Sequence, residues 1–222
     1  METNKKLFEE TEADGWFERN LEAIERLENE PSIAMLSDWL EPFKEDISCV
    51  LEIGCGSGHN LNRLSSSLCA EGVGIDPSPK AVQYLRAHFP QLDAHVSFGD
   101  SIPLSKEYDL VHLGFFLYLV DRKYYLRCIS EADRMTKFGG FLSILDFETP
   151  YPYSNQYAHL DGVFTHKQNN SEVFVASGLY SVVNKFQFSL KDYFFNKDIN
   201  ERVSLTLLYK ETELFKAKNK NP

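Results

Sequence analysis

The stretch V-L-E-I-G-C-G-S-G-H-N, residues 50–60, decides the fold of this 222-residue chain. A short apolar run ends there in three glycines at alternate positions, and a segment with helical spacing follows from Leu61. This order predicts a buried strand that turns tightly into a helix. Glycine suits such a turn because it tolerates unusual backbone angles and lets a ligand approach the bare main chain. We therefore expect this loop to hold a ligand.

Residue 59 separates two kinds of nucleotide-binding loop. The dinucleotide fingerprint G-x-G-x-x-G requires a glycine at this position, and the chain has His59 there. The spacing therefore disfavours an NAD-dependent oxidoreductase, although that class shares the strand, the glycine loop and a distant acidic residue. Glu52, two residues before a G-x-G-x-G run, instead resembles motif I of the class I S-adenosylmethionine (SAM)-dependent methyltransferases.

The resemblance to the class I methyltransferases extends in element order from about Cys49 to Lys210. It implies SAM as the cofactor and an α/β fold, namely a Rossmann-like, doubly wound, seven-stranded sheet with a late antiparallel hairpin. Alternating apolar residues predict the two hairpin strands within residues 179–188 and 203–209. The cofactor-binding residues that the resemblance implies are Glu52, Gly54, Cys55, Gly56, Gly58, Asp76, Pro77, Asp100, Ser101 and Gly114.

Two further acidic residues follow predicted strands. Asp76 lies about 20 residues beyond the glycine loop, where a doubly wound sheet brings a carboxylate beside that loop. Such a carboxylate can accept hydrogen bonds from both hydroxyls of a ribose. The residues directly around Asp76 fit a second role equally well, in which it caps the next helix. Asp100 and Ser101 follow the third strand, and the resemblance implies that they bind the adenine.

Residues before the first strand are predicted to form an N-terminal helical extension. Apolar residues recur there at helical spacing over residues 8–43, and Pro31 suits the start of a second helix. The expected regions are an extension or lid over residues 1–45, the methyltransferase domain over 46–212 and a frayed tail over 213–222. The side chains available to cover a ligand are Trp16, Phe17, Arg19 and Asn20. Alternatively, the two aromatic residues only pack the helix onto the sheet.

The segment after the fifth predicted strand is rich in polar and aromatic residues as far as about residue 168. Ligands of open α/β sheets bind outside the carboxyl ends of the strands, so this segment is placed to hold a methyl acceptor. His159 is a candidate general base because an imidazole can accept a proton near neutral pH. The predicted catalytic residues are His159, Tyr151 and Tyr157. A surface loop whose aromatic residues close the core explains the segment equally well.

Two polar residues of the predicted fourth strand are interpreted as structural. His112 lies within an apolar run, where a core histidine with satisfied hydrogen bonds is the favoured interpretation. Asp109 stands at the start of the same strand, away from the end at which ligands bind.

Charge, apolar runs and cysteine spacing disfavour several classes of partner and site. The chain has 33 Asp and Glu against 23 Lys and Arg, a formal charge of −10, which disfavours a nucleic-acid partner because phosphate binding needs clustered cations. No signal peptide is recognised and no run approaches the ~20 apolar residues of a membrane span, so we expect a cytoplasmic protein. The cysteines form no C-x-x-C pair, and neither a metal site nor a disulfide framework is predicted.

Together these patterns predict an enzyme of class EC 2.1.1 that transfers a methyl group from SAM to a small-molecule acceptor. Residues 16–20, residues 58–61 and the aromatic-proline run after the fifth strand resemble small bacterial methylases of surface-sugar biosynthesis. This similarity favours a sugar or a surface-polysaccharide precursor as the acceptor. A non-catalytic SAM-fold subunit with a protein partner is the main alternative, ahead of the oxidoreductase.

Overall fold

The computed structural model of the protein describes residues 4–26 and 31–214. Most of the predicted frayed tail, residues 215–222, lies outside the described residues. Nine strands are present in the described ranges. They are β1 Cys49–Ile53, β2 Glu71–Asp76, β3 Asp93–Val96, β4 Tyr108–Gly114, β5 Thr136–Phe147, β6 Tyr153–Gln156, β7 Phe164–Lys167, β8 Tyr180–Ser189 and β9 Arg202–Lys210.

Seven of these strands form one sheet in the order β3-β2-β1-β4-β5-β9-β8. The strands from β1 to β5 pair in parallel, so their carboxyl ends meet at one edge of the sheet. β9 lies between β5 and β8 and is antiparallel to both. The prediction of a doubly wound seven-stranded sheet with a late antiparallel hairpin is therefore confirmed.

Helices cover both faces of the sheet. They are α1 Asn4–Leu7, α2 Ala13–Arg26, α3 Pro31–Leu40, α4 His59–Leu68, α5 Pro79–His88, α6 Arg122–Met135 and α7 Glu172–Ala176, with a π-helical turn at Phe8–Glu12. On one face Leu36 of α3, Leu64 of α4 and Val82 of α5 share a buried apolar cluster. On the other face Ile129 of α6 and Phe174 of α7 join a second cluster. The helix α3 is thus part of the core, and the predicted domain boundary at residue 45 stays a prediction.

The boundary between α6 and β5 differs from the sequence prediction. The pair Gly139-Gly140 is predicted to stop the helix, but α6 ends at Met135 and β5 begins at Thr136. A Cβ on Gly140 would lie 2.9 Å from the carbonyl oxygen of Asp109. The glycine is therefore needed for the close approach of β5 to the start of β4. The acceptor segment also differs, since β6 and β7 pair there as an antiparallel hairpin that the polar sequence does not predict.

None of the helices in the described ranges is long and apolar enough to cross a membrane. Over the same residues no group of three or more His, Cys, Asp or Glu side chains is placed to hold a metal ion. All four cysteines are free thiols. Those of Cys49, Cys55 and Cys128 are buried, and that of Cys69 is exposed.

Asp109 ties the starts of two central strands together. Its Oδ2 accepts the Ser48 N–H at 3.0 Å, the Ser48 hydroxyl at 2.7 Å and the Cys49 N–H at 3.2 Å. Its Oδ1 accepts from Lys137 Nζ at 3.0 Å. Burial opposes ionisation, but the donors on Ser48 and Lys137 outweigh it and lower the pKa of the carboxyl to about 2. This geometry matches the structural role expected for Asp109.

We expect Asp109→Asn to lower the free energy of unfolding by about 2 kcal/mol at pH 7, which is the free-energy equivalent of the pKa shift. A lowered carboxyl pKa stabilises the fold above the ordinary value near 4, and this contribution is lost as the pH falls towards 2. Urea denaturation measures the difference. The matched control is Asp38→Asn, because Asp38 is exposed on α3. Equal stability of the two variants at pH 7 would contradict the role given to Asp109.

Candidate functional site

The backbone of the glycine loop between β1 and α4 adopts φ angles that residues with a side chain rarely adopt. Gly54, Gly56 and Gly58 have φ values of 81°, 50° and 81°. The N–H groups of Gly54 and Cys55 both donate to the carbonyl oxygen of Ile75, at 2.7 and 3.1 Å. The loop is thereby held against the carboxyl end of β2.

Asp76 joins the same loop to the next crossover. Its Oδ2 accepts the Gly56 N–H at 2.8 Å, and its Oδ1 accepts the Ser78 N–H at 2.8 Å. Burial raises the pKa of this carboxyl to about 6, although both N–H donors act in the opposite direction. The cap of α5 is the Ser78 hydroxyl, which accepts the Ala81 N–H at 3.0 Å. Asp76 is therefore not the helix cap, and its carboxylate faces the glycine loop.

Gly58 meets a steric requirement in addition to its backbone angle. A Cβ at this position would lie 2.5 Å from Leu85 Cγ, well inside van der Waals contact, and Leu85 is fully buried in α5. Glycine at position 58 therefore lets α5 pack closely against the loop.

We expect Gly58→Ala to lower the free energy of unfolding by about 2–4 kcal/mol, since strain at positive φ and overpacking against Leu85 add together. Gly178→Ala is the matched control, because Gly178 has φ 75° and a Cβ there would meet nothing within 4 Å. The free energy of unfolding of the control should fall by only about 1 kcal/mol, which is the cost of the backbone strain alone. Chemical denaturation compares the two. Similar losses for both variants would mean that contact with Leu85 is unimportant.

Glu52 lies beneath the loop with an exposed fraction of 2%. Burial and the nearby charge of Asp76 raise the pKa of its carboxyl well above the ordinary value. Its Oε2 has no hydrogen-bond partner among the described residues. A buried, unpaired carboxyl oxygen is costly, so this site suits a ligand that brings a hydrogen-bond donor or a positive charge. The neighbouring Cys55 thiol is packed into the core, 2.6 Å from where a Cβ on Gly74 would lie.

A cavity of about 800 Å³, open to solvent, lies at the carboxyl ends of these strands. Five of the predicted cofactor-binding residues line it, namely Gly54, Asp76, Pro77, Asp100 and Gly114. Much of the remaining wall is aromatic and consists of Phe8, Trp16, Phe98, Phe115, Phe116 and Tyr124. A largely apolar cavity with a few placed polar groups is typical of a small-molecule site.

The N-terminal segment closes one end of this cavity through Lys5. Its Nζ lies 2.8 and 2.7 Å from the two carboxylate oxygens of Asp100. It also lies 4.9 Å from the centre of the Phe98 ring and 4.8 Å from that of Tyr124. The Asp100 side chain is only 5% exposed in this arrangement. Lys5 therefore holds the carboxylate that the resemblance assigns to the adenine.

The helix α2 crosses the cavity and is fixed at its sides. Asp14 accepts a hydrogen bond from the Ser78 hydroxyl and another from the Lys80 N–H at 3.2 Å. Trp16 lines the cavity, and its ring carbon Cζ3 comes 3.9 Å from a Cβ built on Gly56. Phe17 instead packs edge-on against Tyr84 of α5. Of the two aromatic residues, Trp16 therefore covers the cavity, whereas Phe17 packs the helix onto the domain.

Tyr157 belongs to the closure of the cavity. Its hydroxyl donates to Glu12 Oε1 at 2.9 Å and accepts from the Arg19 guanidinium at 3.3 Å. Arg19 also forms a close ion pair with Glu12. Burial raises the pKa of Tyr157 to about 12, and the bond to Glu12 adds to the effect. The tyrosine therefore stays protonated and connects the β6–β7 hairpin to the N-terminal segment.

The three predicted catalytic residues do not converge on one point. Tyr151 is 57% exposed and lines a separate groove with Glu148 and Arg202. His159 is exposed, and its ring contacts that of Tyr157 at a centroid distance of 5.2 Å. The cavity described above is lined by none of these three side chains. Their catalytic role stays a prediction that the geometry does not favour.

Ser101 also differs from its expected role. Its N–H donates to the Phe98 carbonyl oxygen at 3.2 Å, closing a turn after β3. The side chain is exposed. The part in adenine binding that the resemblance implies for Ser101 stays a prediction, and its backbone amide is engaged within the protein.

The segment after β4 is ordered by a second buried acid, Asp146 near the end of β5. Its carboxylate accepts the Tyr118 N–H at 3.1 Å and the Phe147 N–H at 2.7 Å. Burial raises the pKa of Asp146 to about 7. The bond to Tyr118 fixes the short 3-10 turn at Leu117–Leu119, which follows the aromatic residues of the cavity wall.

Several lining residues were not predicted from the sequence. They are Asn4, Lys5, Phe8, Ala13, Val120, Asp121, Tyr124 and Cys128. Tyr124 and Cys128 lie one turn apart on α6, where residues at i and i+4 share a face, so the spacing was an available signal. Lys5 carried no such signal, because its position depends on where the N-terminal segment packs.

Sequence comparison finds methyltransferases. The family described as "Methyltransferase domain" matches residues 50–140, which run from β1 into β5. An uncharacterized methyltransferase-like protein of Schizosaccharomyces pombe is 33% identical over 74 residues, covering 32% of this chain and 29% of that protein. The chain spans less than half the length of the curated relatives it matches, with shares of 29%, 44% and 28%.

Structure comparison finds the same fold in proteins of similar length. The N-methyltransferase NodS of Bradyrhizobium japonicum WM9, in complex with S-adenosylhomocysteine (SAH), has a TM-score of 0.63 at 17% identity, covering 90% of this chain and 99% of that chain. The 1,6-didemethyltoxoflavin-N1-methyltransferase of Burkholderia thailandensis, with bound 1,6-didemethyltoxoflavin and SAH, has a TM-score of 0.66 at 11% identity, covering 90% and 87%. At these identities the likeness establishes the fold.

Proposed function

We propose that this chain, which has the class I methyltransferase fold and matches the methyltransferase-domain family over residues 50–140, binds SAM and methylates a small molecule. The observation that carries the proposal is the contact of Asp76 with the glycine loop, at the edge of a cavity with a largely aromatic wall. This contact places a loop of glycine backbone, which a ligand can approach closely, next to a buried carboxylate that can accept hydrogen bonds from hydroxyl groups. The SAH bound to two proteins of the same fold supports the same ligand class here.

The residues present fit this cofactor. The unpartnered Oε2 of Glu52 suits a cationic amino-acid end, and Asp76 suits the two ribose hydroxyls. Asp100 suits the adenine amine once Lys5 releases it. When bound, SAM supplies a methyl group made strongly electrophilic by its sulfonium. The chain then has to align an acceptor with this group and exclude water from it.

The N-terminal segment provides the exclusion of water. Glu12, Arg19 and Tyr157 form a hydrogen-bonded cluster, which connects this segment to the β6–β7 hairpin. Trp16 of the same segment lies beside the glycine loop, with its ring carbon Cζ3 3.9 Å from a Cβ built on Gly56. We infer that the acceptor lies beside Trp16 and Phe115, whose rings line the cavity.

The acceptor that this wall favours is a small molecule with an apolar or planar face. Flat aromatic side chains gain contact area against such a face, and the cavity wall is largely aromatic. The neighbour bound to 1,6-didemethyltoxoflavin supports an acceptor of this size. Within this class we propose a sugar as the acceptor, because one face of a sugar is apolar and also stacks on aromatic rings.

Calorimetric titration with SAH tests the proposal through Asp76. Asp76→Ala should weaken SAH binding by about 10- to 100-fold, since hydrogen bonds to a charged group are worth about 1.5–3 kcal/mol. Asp38→Ala, on the exposed side of α3, is the control and should bind as the unmodified protein does. The absence of SAH binding by the unmodified protein, or equal binding by Asp76→Ala, would contradict the proposal.

The pH dependence of SAH affinity gives a second prediction. Because the pKa of Asp76 is raised to about 6, its carboxyl is ionised at pH 7.5 and mostly protonated at pH 5. SAH affinity should therefore fall as the pH drops below 6, at up to about tenfold per unit. Asp76→Asn should bind more weakly at pH 7.5 and depend less on pH. A flat profile for the unmodified protein would show that the ionised carboxyl is not needed.

Removal of Lys5 tests whether it competes with the cofactor. We expect Lys5→Ala to raise SAH affinity, by up to about tenfold, because Asp100 is then available without breaking an ion pair. Lys6→Ala is the control, since Lys6 pairs with Glu10 on the helix surface. Weaker SAH binding by Lys5→Ala would mean that Lys5 stays in the site and contacts the ligand.

A further inference from the structure

The ring of Phe115 is held in the cavity wall by an unusual backbone. Phe115 follows β4 with a φ of 47°, a left-handed value that residues with a side chain rarely adopt. Its N–H donates to the Leu145 carbonyl oxygen at 2.7 Å, which ties this conformation to β5. Strained backbone of this kind is typical of functional sites, where the surrounding structure maintains it. The fold therefore keeps the Phe115 ring at the cavity despite a conformational cost.

Phe115 belongs to a cluster of three rings that already holds an ammonium group. Its ring centroid lies 5.8 Å from that of Phe147 and 6.5 Å from that of Tyr118, with interplanar angles of 71° and 87°. Lys167 Nζ lies 3.9 Å from the centre of the Phe147 ring. Lys167 is only 8% exposed, and its Nζ donates to the carbonyl oxygen of Asn200 at 2.7 Å rather than to a carboxylate. The rings thus contribute to stabilising a buried cation.

The cavity itself holds a second ammonium group against aromatic rings. Lys5 Nζ lies 4.9 Å from the centre of the Phe98 ring and 4.8 Å from that of Tyr124, and it also pairs with Asp100. Asp121 adds a further carboxylate to the wall, and Lys5 is the only Lys or Arg among the described residues that line it. The rings and charges of this wall therefore favour a cation over an anion.

We propose that the acceptor group is an amine, methylated on its nitrogen beside the rings of Phe115 and Trp16. This inference rests on the proposed function and deepens it, since it names the nucleophile of the acceptor. An amino group carried by a sugar belongs to this class. Methylation of an amine creates an ammonium ion, whose charge these rings stabilise, whereas methylation of a hydroxyl group creates a neutral ether.

The charge balance of the reaction fits this wall. The lone pair of the free amine forms the new N–C bond, and the electrons of the S–C bond stay on sulfur. The positive charge thereby passes from sulfur to nitrogen, and the ammonium product then releases a proton to water. A cation is present beside the rings before and after the transfer, so the attraction of the rings persists throughout the step.

A free amine also needs no base on the cavity wall. The carboxylates that line the described part of the wall are engaged. Asp76 accepts two N–H groups, Asp100 pairs with Lys5, and Asp121 is the cap of α6. Burial raises the pKa of the Cys128 thiol to about 12, so this group keeps its proton. A hydroxyl acceptor, which loses its proton during the attack, depends on a base.

Calorimetry with sinefungin and SAH tests the two rings without a known acceptor. Sinefungin carries an ammonium group on a carbon atom in the place of the sulfur of SAH, so it puts a positive charge at the site of methyl transfer. We expect the unmodified protein to bind sinefungin about 2- to 30-fold more tightly than SAH. This preference should fall towards one in Phe115→Leu and in Trp16→Leu, and Phe115→Tyr should keep it.

The matched control is Phe138→Leu, which should keep the preference for sinefungin. Phe138 is 52% exposed and lies near the start of β5, at the edge of the sheet opposite the cavity. Thermal unfolding checks that each variant is folded. If Phe115→Leu does not fold, Trp16→Leu decides, because Trp16 belongs to α2 and not to the sheet.

Methyl transfer to two probes of the same shape tests the nucleophile. Benzylamine and benzyl alcohol differ only in the group that is methylated, and the release of SAH from SAM reports the rate. We expect the unmodified protein to methylate benzylamine at least about 100-fold faster than benzyl alcohol. The rate with benzylamine should rise between pH 7 and pH 9, because only the free amine attacks.

Each outcome bears on one of the two proposals. Equal binding of sinefungin and SAH, or a preference that both Phe115→Leu and Trp16→Leu retain, would overturn the amine acceptor. Faster methylation of benzyl alcohol than of benzylamine would overturn it as well, and if neither probe reacts the preference for sinefungin decides. SAH binding by the unmodified protein leaves the proposed function in place in all these cases. Failure to bind both SAH and sinefungin would instead overturn the proposed function.

Discussion

The Asp76 carboxylate is the interaction on which the site depends. It accepts hydrogen bonds from the N–H groups of Gly56 and Ser78. One side chain therefore fixes both the glycine loop after β1 and the connection from β2 to α5. Its raised pKa reflects burial that these two donors only partly offset. A group held in this way is poised for a ligand that donates further hydrogen bonds, because such a ligand stabilises the charge that the fold has already buried.

Acidic residues also organise the closure over the cavity, each in a different manner. Asp100 is paired with Lys5, Glu12 with Arg19 and Tyr157, and Asp14 with the first turn of α5. These polar contacts join the packing of Phe17 against Tyr84 in attaching the N-terminal segment to the domain. The carboxylates of Asp100 and Glu12 are 5% and 6% exposed, so a ligand that takes up one of them has to replace the partner it already has.

The sequence predicts the parts of this site that depend on local geometry. The positive φ at Gly54 requires glycine, and Asp76 follows it at a sequence separation typical of this fold, so both can be recognised in the sequence. Lys5 and Tyr157 leave none, because each acts through a partner about a hundred or more residues away, and that pairing depends on the packing of the N-terminal segment. The β6–β7 hairpin is missed for a related reason, since its sequence is polar and lacks the alternation that marks a half-buried strand. For His112 the sequence suggests burial, but only the register with Glu52 reveals its polar neighbours.

A crystal structure of the protein grown with saturating SAH tests the central claim most directly. The account predicts SAH in the aromatic cavity, with its ribose hydroxyls within hydrogen-bond distance of Asp76 and its adenine amine at Asp100 in the place of Lys5. Crystals in which the cavity stays free of SAH, or in which SAH lies away from Asp76, would contradict it.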